Sequence, residues 1–139
     1  MKSFLRGSLA VGSLLAFCFG VAAVAQDDWY HERETYYHGE HWKARMFDRI
    51  RDDVDHVQST TFPASHDEFR LVKVKQELGE LQNKMADGAY DQPELDEVIH
   101  TLQRVVESNK LSDRDRDMLT EDLNHLRDYR EHHEGWGRD

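Results

Sequence analysis

Three observations in this 139-residue chain predict an all-α protein, a small up-and-down bundle of three to four antiparallel helices behind a cleaved signal peptide. Apolar residues recur at steps of three and four through successive windows; short links separate those windows; and each later window opens on a helix-capping pattern. The length fits one small domain after a leader. The expected organisation is a signal peptide over 1–25, an aromatic and His-rich arm over 26–41, a helical bundle domain over 42–130 and a flexible tail over 131–139.

Lys2 and Arg6 precede an apolar run from Leu9 to Val24, and Ala23-Val24-Ala25 offers the small residues that a signal peptidase accepts. The mature chain is therefore expected to begin near Gln26 in a periplasmic or secreted compartment. A retained span needs ~20 apolar residues, but this run holds Gly12, Ser13 and Gly20 and meets Asp27-Asp28 rather than a basic stop-transfer segment. No membrane insertion of the mature chain is expected. Phe17 stands where a lipoprotein leader carries a small residue, so Cys18 is not read as an anchor. Cleavage after Ala25 removes this one cysteine, and with it disulfides, thiolate nucleophiles and thiolate metal sites.

The arm, QDDWYHERETYYHGEH, mixes aromatic, His and Glu residues and is interrupted by Gly39. From Trp42 the pattern becomes regular: Phe47, Ile50, Val54 and Val57 form one helical stripe, which ends before Pro63. Ser65 with Glu68 makes a capping box ahead of Leu71, Val74, Leu78, Leu81 and Met85. Gly88 closes that helix in a left-handed conformation, and Asp91, Pro93 and Glu94 open the next. The third stripe, Leu95, Val98, Ile99, Leu102, Val105 and Val106, is the widest, and its helix is expected to be the most buried. Asn109 is expected to stop it as Gly88 stops its predecessor. Ser112 and Asp115 then open a fourth helix with Met118 or Leu119, Leu123, Leu126 and Tyr129 inward.

An approximate repeat supports this division. At an offset of 21, Leu81-Gln82 aligns with Leu102-Gln103, Gly88 with Asn109 and Tyr90 with Leu111. The matched links place Tyr90 and Leu111 to fold back over the ends of the core.

Net charge is −10, and becomes −12 when Lys2 and Arg6 leave with the leader. Such a chain repels a phosphate backbone, so nucleic acid is excluded as a partner. The expected partner is a second copy of the chain or an envelope protein, and Trp29, Tyr30, Tyr36, Tyr37 and Trp42 are the candidate interface, because aromatic side chains bury large area with little freedom to lose. If the arm is helical, Glu34, His38 and His41 share a face and form a candidate site for a divalent transition metal, two imidazoles and a carboxylate being suitable ligands. His56, His66 and His100 read as surface residues.

Asp113-x-Asp115-x-Asp117 has the opening spacing of a calcium loop, but Met118 stands at the glycine position and Asn124 at the bidentate twelfth. The segment reads as a helix start with acids complementing the dipole. The chain has no specific nucleophile-and-base phrase and no glycine-rich phosphate cradle, so no catalytic residues are assigned and no enzyme is expected.

In leader, size, helical content and Leu-Gln pairs the general design resembles the small periplasmic helical stress chaperones. The Leu-Thr-x-x-Gln phrase of those proteins is absent, with Leu78-Gly79-Glu80-Leu81-Gln82 in its place, so the resemblance implies architecture and no site residue. The reading that follows is a non-enzymatic protein-interaction or structural module of the bacterial cell envelope. The alternative is a periplasmic protein that binds a divalent metal or protects clients as a stress chaperone does. A chaperone would leave a concave apolar face exposed on the isolated protomer.

Overall fold

The computed structural model describes residues 18–61 and 63–136, with side chains from residue 28 onward. These residues are helical, in five α-helices rather than three to four: α1 Cys18–His38, α2 Met46–Thr60, α3 His66–Ala86, α4 Gln92–Val106 and α5 Asp113–His132. Single 3-10 turns cover Trp42–Arg45 and His133–Gly135. The added helix is α1. It takes in most of the stretch read as an arm, because no residue between Gln26 and His38 breaks a helix and the breaker, Gly39, falls just after its end. The first seventeen residues of the expected leader lie outside the described residues. Among those described, no helix is long and apolar enough to cross a membrane.

The chain divides into two compact units after Glu40. The first contains α1. The second contains α2 to α5, in which α2 packs on α3, α3 on α4, α4 on α5, and α5 on α2. Each neighbouring pair runs antiparallel, as its cross-links show. Lys75 reaches Asp55 while Gln82, further along α3, reaches the Ala44 carbonyl just before α2. Arg127 reaches Gln103 and Arg130 reaches Asp96 between α5 and α4. His56 lies near Asp115, and Phe47 near Tyr129, between α2 and α5. Connections of five or six residues impose this up-and-down order.

The predicted stripes fill the centre. Phe47, Ile50, Val54 and Val57 are fully buried, as are Leu71, Val74, Leu78, Leu95, Val98, Leu102, Val105, Leu119 and Leu126. Met118 and Leu119 both face inward, and Met46 joins them. Replacing one such leucine by alanine costs about 2–5 kcal/mol.

The starts of α3, α4 and α5 follow the capping patterns. The Ser65 hydroxyl accepts from the Glu68 N–H at 3.1 Å, the Asp91 carboxylate from Glu94 at 3.1 Å, and the Ser112 hydroxyl from Asp115 at 3.1 Å. Glu68 returns its carboxylate to the Ala64 N–H, one residue earlier than a standard capping box. Gly88 has the expected positive φ, 75°. Asn109 does not: α4 ends at Val106 and closes through right-handed Glu107, so the repeat of sequence is not a repeat of turn geometry.

Helix α4 is not the most buried, since α2 and α5 bury more side chains than it does. Ile99 and Val106, at the margins of its wide stripe, stay half-exposed. The buried places on the other helices include acids. Asp53 and Asp122 are fully enclosed, Asp67 and Asp115 nearly so. Arg49 donates to Asp53 at 3.1 Å one helical turn away, and Asp67 accepts from Arg70 at 2.9 Å and from the Ser108 hydroxyl at 2.7 Å. The last of these ties the start of α3 to the link after α4.

Candidate functional site

One end of the bundle is built from aromatic side chains drawn from four separate segments. The left-handed Gly88 turns the chain between α3 and α4 so that Tyr90 folds back over the core, as the sequence predicts. The last turn of α5 presents Tyr129, and the 3-10 turn after it presents His133 and leads into Trp136. The turn before α2 supplies Trp42.

These rings pack in sequence. Phe47 meets Tyr129 edge to face at 5.1 Å, and Tyr129 meets Trp136 at 5.5 Å and Tyr90 at 5.8 Å. Tyr90 lies flat on His133, with centroids 3.6 Å apart. Trp42 stands edge-on to Trp136 at 5.7 Å and tilts onto His125 at 4.8 Å. Perpendicular contacts of this kind set the electropositive ring edge against the electron-rich face and add to plain burial. The Trp136 indole N–H donates to the Lys43 carbonyl at 3.1 Å, and the Lys43 ammonium lies 4.9 Å over the same ring.

Between them the rings leave a cleft of about 550 Å³, lined by Met85, Gly88, Ala89, Tyr90, Tyr129, His133, Glu134 and Trp136. Burial raises the pKa of both tyrosines; nearby Asp96 adds to the effect at Tyr90, and Tyr90 adds to it at Tyr129. Both hydroxyls therefore remain neutral donors at physiological pH. The cleft offers π faces, two phenols, an imidazole and one carboxylate, a set suited to binding.

A second concavity, about 510 Å³, runs between α3 and α4 and is lined mostly by charged side chains, with Pro93 among them. Lys84 bridges Asp91 at 2.7 Å and Glu94 at 2.5 Å, and Lys73 bridges Glu77 and Glu97. Hydrogen bonds to Asp91 and then Glu94 raise the pKa of Lys84, and that same ammonium lowers the pKa of Asp91. Burial raises Glu77, with Glu97 and Glu94 adding repulsion, and burial raises Glu94. The Glu77 Oε2 is enclosed without a hydrogen-bond partner. These shifts follow from acids crowded along two helix faces and pinned by lysines.

The structure distributes the sequence-predicted site residues over both units. Trp29, Tyr30, Tyr36 and Tyr37 lie half-buried on α1, where Tyr36 meets Tyr37 edge-on at 5.4 Å and the Arg33 guanidinium lies 4.9 Å over Tyr37. Trp42 belongs to the bundle. Glu34 and His38 are exposed one turn apart, but α1 ends at His38, and His41 follows a turn in a left-handed conformation with φ 66°. The helical face that was to join all three stops short of His41. Among the described residues no group of three or more His, Cys, Asp or Glu side chains is placed to hold a metal ion.

Two readings change. The stretch expected to be a tail continues α5 to His132 and a 3-10 turn to Gly135, and the Trp136 indole meets a ring cluster and a carbonyl partner that its own sequence neighbourhood does not disclose. His56 is not a plain surface residue: its ring is mostly covered and lies 4.0 Å from Asp115. No protein-family model, no curated protein and no solved structure matches the chain.

Proposed function

We propose that this protein is an exported, non-enzymatic interaction module of the bacterial cell envelope that binds its partner through the aromatic cleft at the end of α5. The observation that carries the reading is the cleft itself. Tyr90 on the link before α4, Tyr129 on α5, and His133 and Trp136 beyond its end surround one concavity, and the buried Tyr129 ties that cluster to the core. Aromatic groups gathered at one accessible place are the composition of interface centres. Export to the periplasm or beyond is supported by the Lys2/Arg6 flank, the apolar run and the Ala23-Val24-Ala25 cleavage phrase.

A chaperone's concave apolar face is not favoured. Among the described residues the exposed large apolar side chains are Phe69 and Val72, neighbours on the outer side of α3. The catalytic alternative has the raised carboxyls of Glu77 and Glu94 in its favour, but burial and neighbouring carboxylates account for both, with Lys73 and Lys84 pulling the other way.

The test begins with the chain expressed with its own leader. Its exported form should have an intact mass beginning at Gln26, and an envelope partner should be retained by the wild-type protein and lost with Tyr90→Ala/Trp136→Ala. A mass that includes the leader would overturn export. A partner held equally well by the double variant would move the binding surface elsewhere.

A further inference from the structure

We infer that a second copy of this chain docks on the outer side of α3, the two α3 helices running antiparallel about a two-fold axis. Helix α3 carries two stripes. The inner one, Leu71, Val74, Leu78 and Leu81, packs into the core. On the far side of the same helix Phe69, Val72, Gln76, Gly79, Asn83 and Ala86 recur at steps of 3, 4, 3, 4 and 3, the seven-residue repeat that lets two helices keep one face together along their length. None of the six carries a charge, in a chain of net −10. Phe69 is 66% exposed and Val72 46%, while Gln76, Asn83 and Ala86 are exposed and Gly79 half-exposed.

The sizes along the stripe select the antiparallel order. That order sets Phe69 against Ala86 of the second copy, Val72 against Asn83 and Gln76 against Gly79, so the bulkiest side chain meets one of the smallest and Gln76 meets the bare glycine; the two-fold axis repeats each layer. The Arg51 Nη1 now lies 3.2 Å from where a Gly79 Cβ would stand, and this movable end of a half-exposed side chain swings aside for Gln76. Parallel pairing would put Phe69 on Phe69 and Gly79 on Gly79, bulky at one end and empty toward the other, which one interhelical distance does not satisfy.

The flanking charges agree. In the antiparallel order Lys73 faces Glu80 of the second copy and His66 faces Asp87 along one edge, and along the other Lys75 faces Gln82 and Glu68 faces Ala89, so no like charges are opposed. Beside the stripe, Arg51 and Lys75 balance Asp52 and Asp55 in the hollow that Val72 and Gln76 also line. Two copies of a strongly acidic chain thus approach here over a locally neutral surface. Two large apolar side chains and four small or polar ones make this association reversible.

The experiment follows the full chain, expressed with its own leader and carrying Cys18→Ser, by sedimentation equilibrium between about 1 and about 500 µM. The apparent mass should climb from one chain toward two. Phe69→Ser with Val72→Ser, both at exposed positions outside the core, should weaken association about tenfold or more while leaving the melting curve of the dilute protein unchanged. Arg104→Ala, exposed on α4, should leave association as in wild type. Orientation is read from disulfides, since the chain has no cysteine besides Cys18. On oxidation, a mixture of Val72→Cys and Asn83→Cys chains should link, and neither variant alone should link to itself.

A one-chain mass at every concentration, or association indifferent to the Phe69 and Val72 substitutions, would overturn the proposal. Self-linking of Val72→Cys alone would mean parallel helices and would overturn the antiparallel pairing. These outcomes leave the cleft at the end of α5 to be judged by the partner-retention experiment.

Discussion

The Tyr90 ring lies parallel to the His133 imidazole, with 2° between their planes and 3.6 Å between their centroids. The first residue sits in the link before α4 and the second at the end of α5, so this stack clips the chain's last described segment onto the bundle. Tyr90 also meets Tyr129, and its hydroxyl donates a long bond, 3.4 Å, to the Arg130 carbonyl. The ring therefore carries most of the clip and the hydroxyl little of it.

Tyr90→Ala is expected to lower stability by about 1–2 kcal/mol, from lost ring contact and partial burial. Tyr90→Phe should cost less than about 0.5 kcal/mol. Urea denaturation gives both values. Amide exchange adds a local readout: residues 133–136 should exchange faster in Tyr90→Ala than in wild type. Unchanged protection there would show that Trp136 alone anchors the segment.

The acidic groove makes stability depend on pH in a direction opposite to ordinary acid denaturation over part of the range. Glu77 has its pKa raised first by burial and then by Glu97 and Glu94, and burial raises Glu94 and Asp52 as well. Such groups bind their protons more tightly when folded. Their contribution is fully present below the unfolded pKa and is lost as pH rises through the folded one. Asp91, lowered by Lys84, works the other way: its contribution is present above the unfolded pKa and is lost as pH falls through the folded value. Thermal melts should therefore rise as pH is lowered from neutral toward the ordinary carboxylate range near about 4 and turn down below it. Glu77→Gln should raise the melting midpoint by a few degrees at the upper end of that range, with the gain shrinking toward the lower. A gain independent of pH would show that the carboxylate's charge is not its cause.

The bundle was legible because its apolar steps are regular and its helix starts carry explicit caps. Phe47 through Val57 and Leu71 through Leu81 needed nothing beyond helical spacing, and Ser65, Asp91 and Ser112 could be assigned from the residue three places on. What stayed hidden depends on tertiary neighbours. Asp67 reads as a surface acid until Ser108, 41 residues away, supplies a hydroxyl. His133 and Trp136 sit in a stretch with two glycines and no apolar period, so nothing local marks them as parts of a ring cluster. Asn109 aligned with Gly88, but a right-handed ending at Glu107 removed the need for a left-handed residue.

Two glycines should respond to alanine with opposite signs. Gly88 has φ 75° and open space where a Cβ would stand, so strain alone decides its case, and Gly88→Ala should destabilise by about 1 kcal/mol. Gly79 lies inside α3, where glycine is a poor helix former. A Cβ there approaches only the Arg51 Nη1 at 3.2 Å, the movable end of a half-exposed side chain. Gly79→Ala should stabilise by about 0.5–1 kcal/mol. Denaturation of both single variants and of the double checks the signs. These sites are nine residues apart, ~13 Å along the helix, and share no partner, so the double should be close to wild type.

The Arg49–Asp53 pair is the strongest test of how the bundle accommodates buried charge. Asp53 is fully enclosed and the Arg49 side chain is 11% exposed, with 3.1 Å between Nη2 and Oδ1. Removing one member leaves the other charged in a region with little water, so Asp53→Ala should cost about 3–5 kcal/mol. Replacing both together, Arg49→Met with Asp53→Leu, removes the desolvation of two ions and substitutes apolar packing, and is expected to restore most of that loss. A double-mutant cycle in urea separates the two contributions. Recovery in the double variant would mean that the pair adds little net stability and that the loss in Asp53→Ala comes from the Arg49 charge it strands. A double variant as unstable as Asp53→Ala would mean that Asp53 holds other groups of the core as well as Arg49.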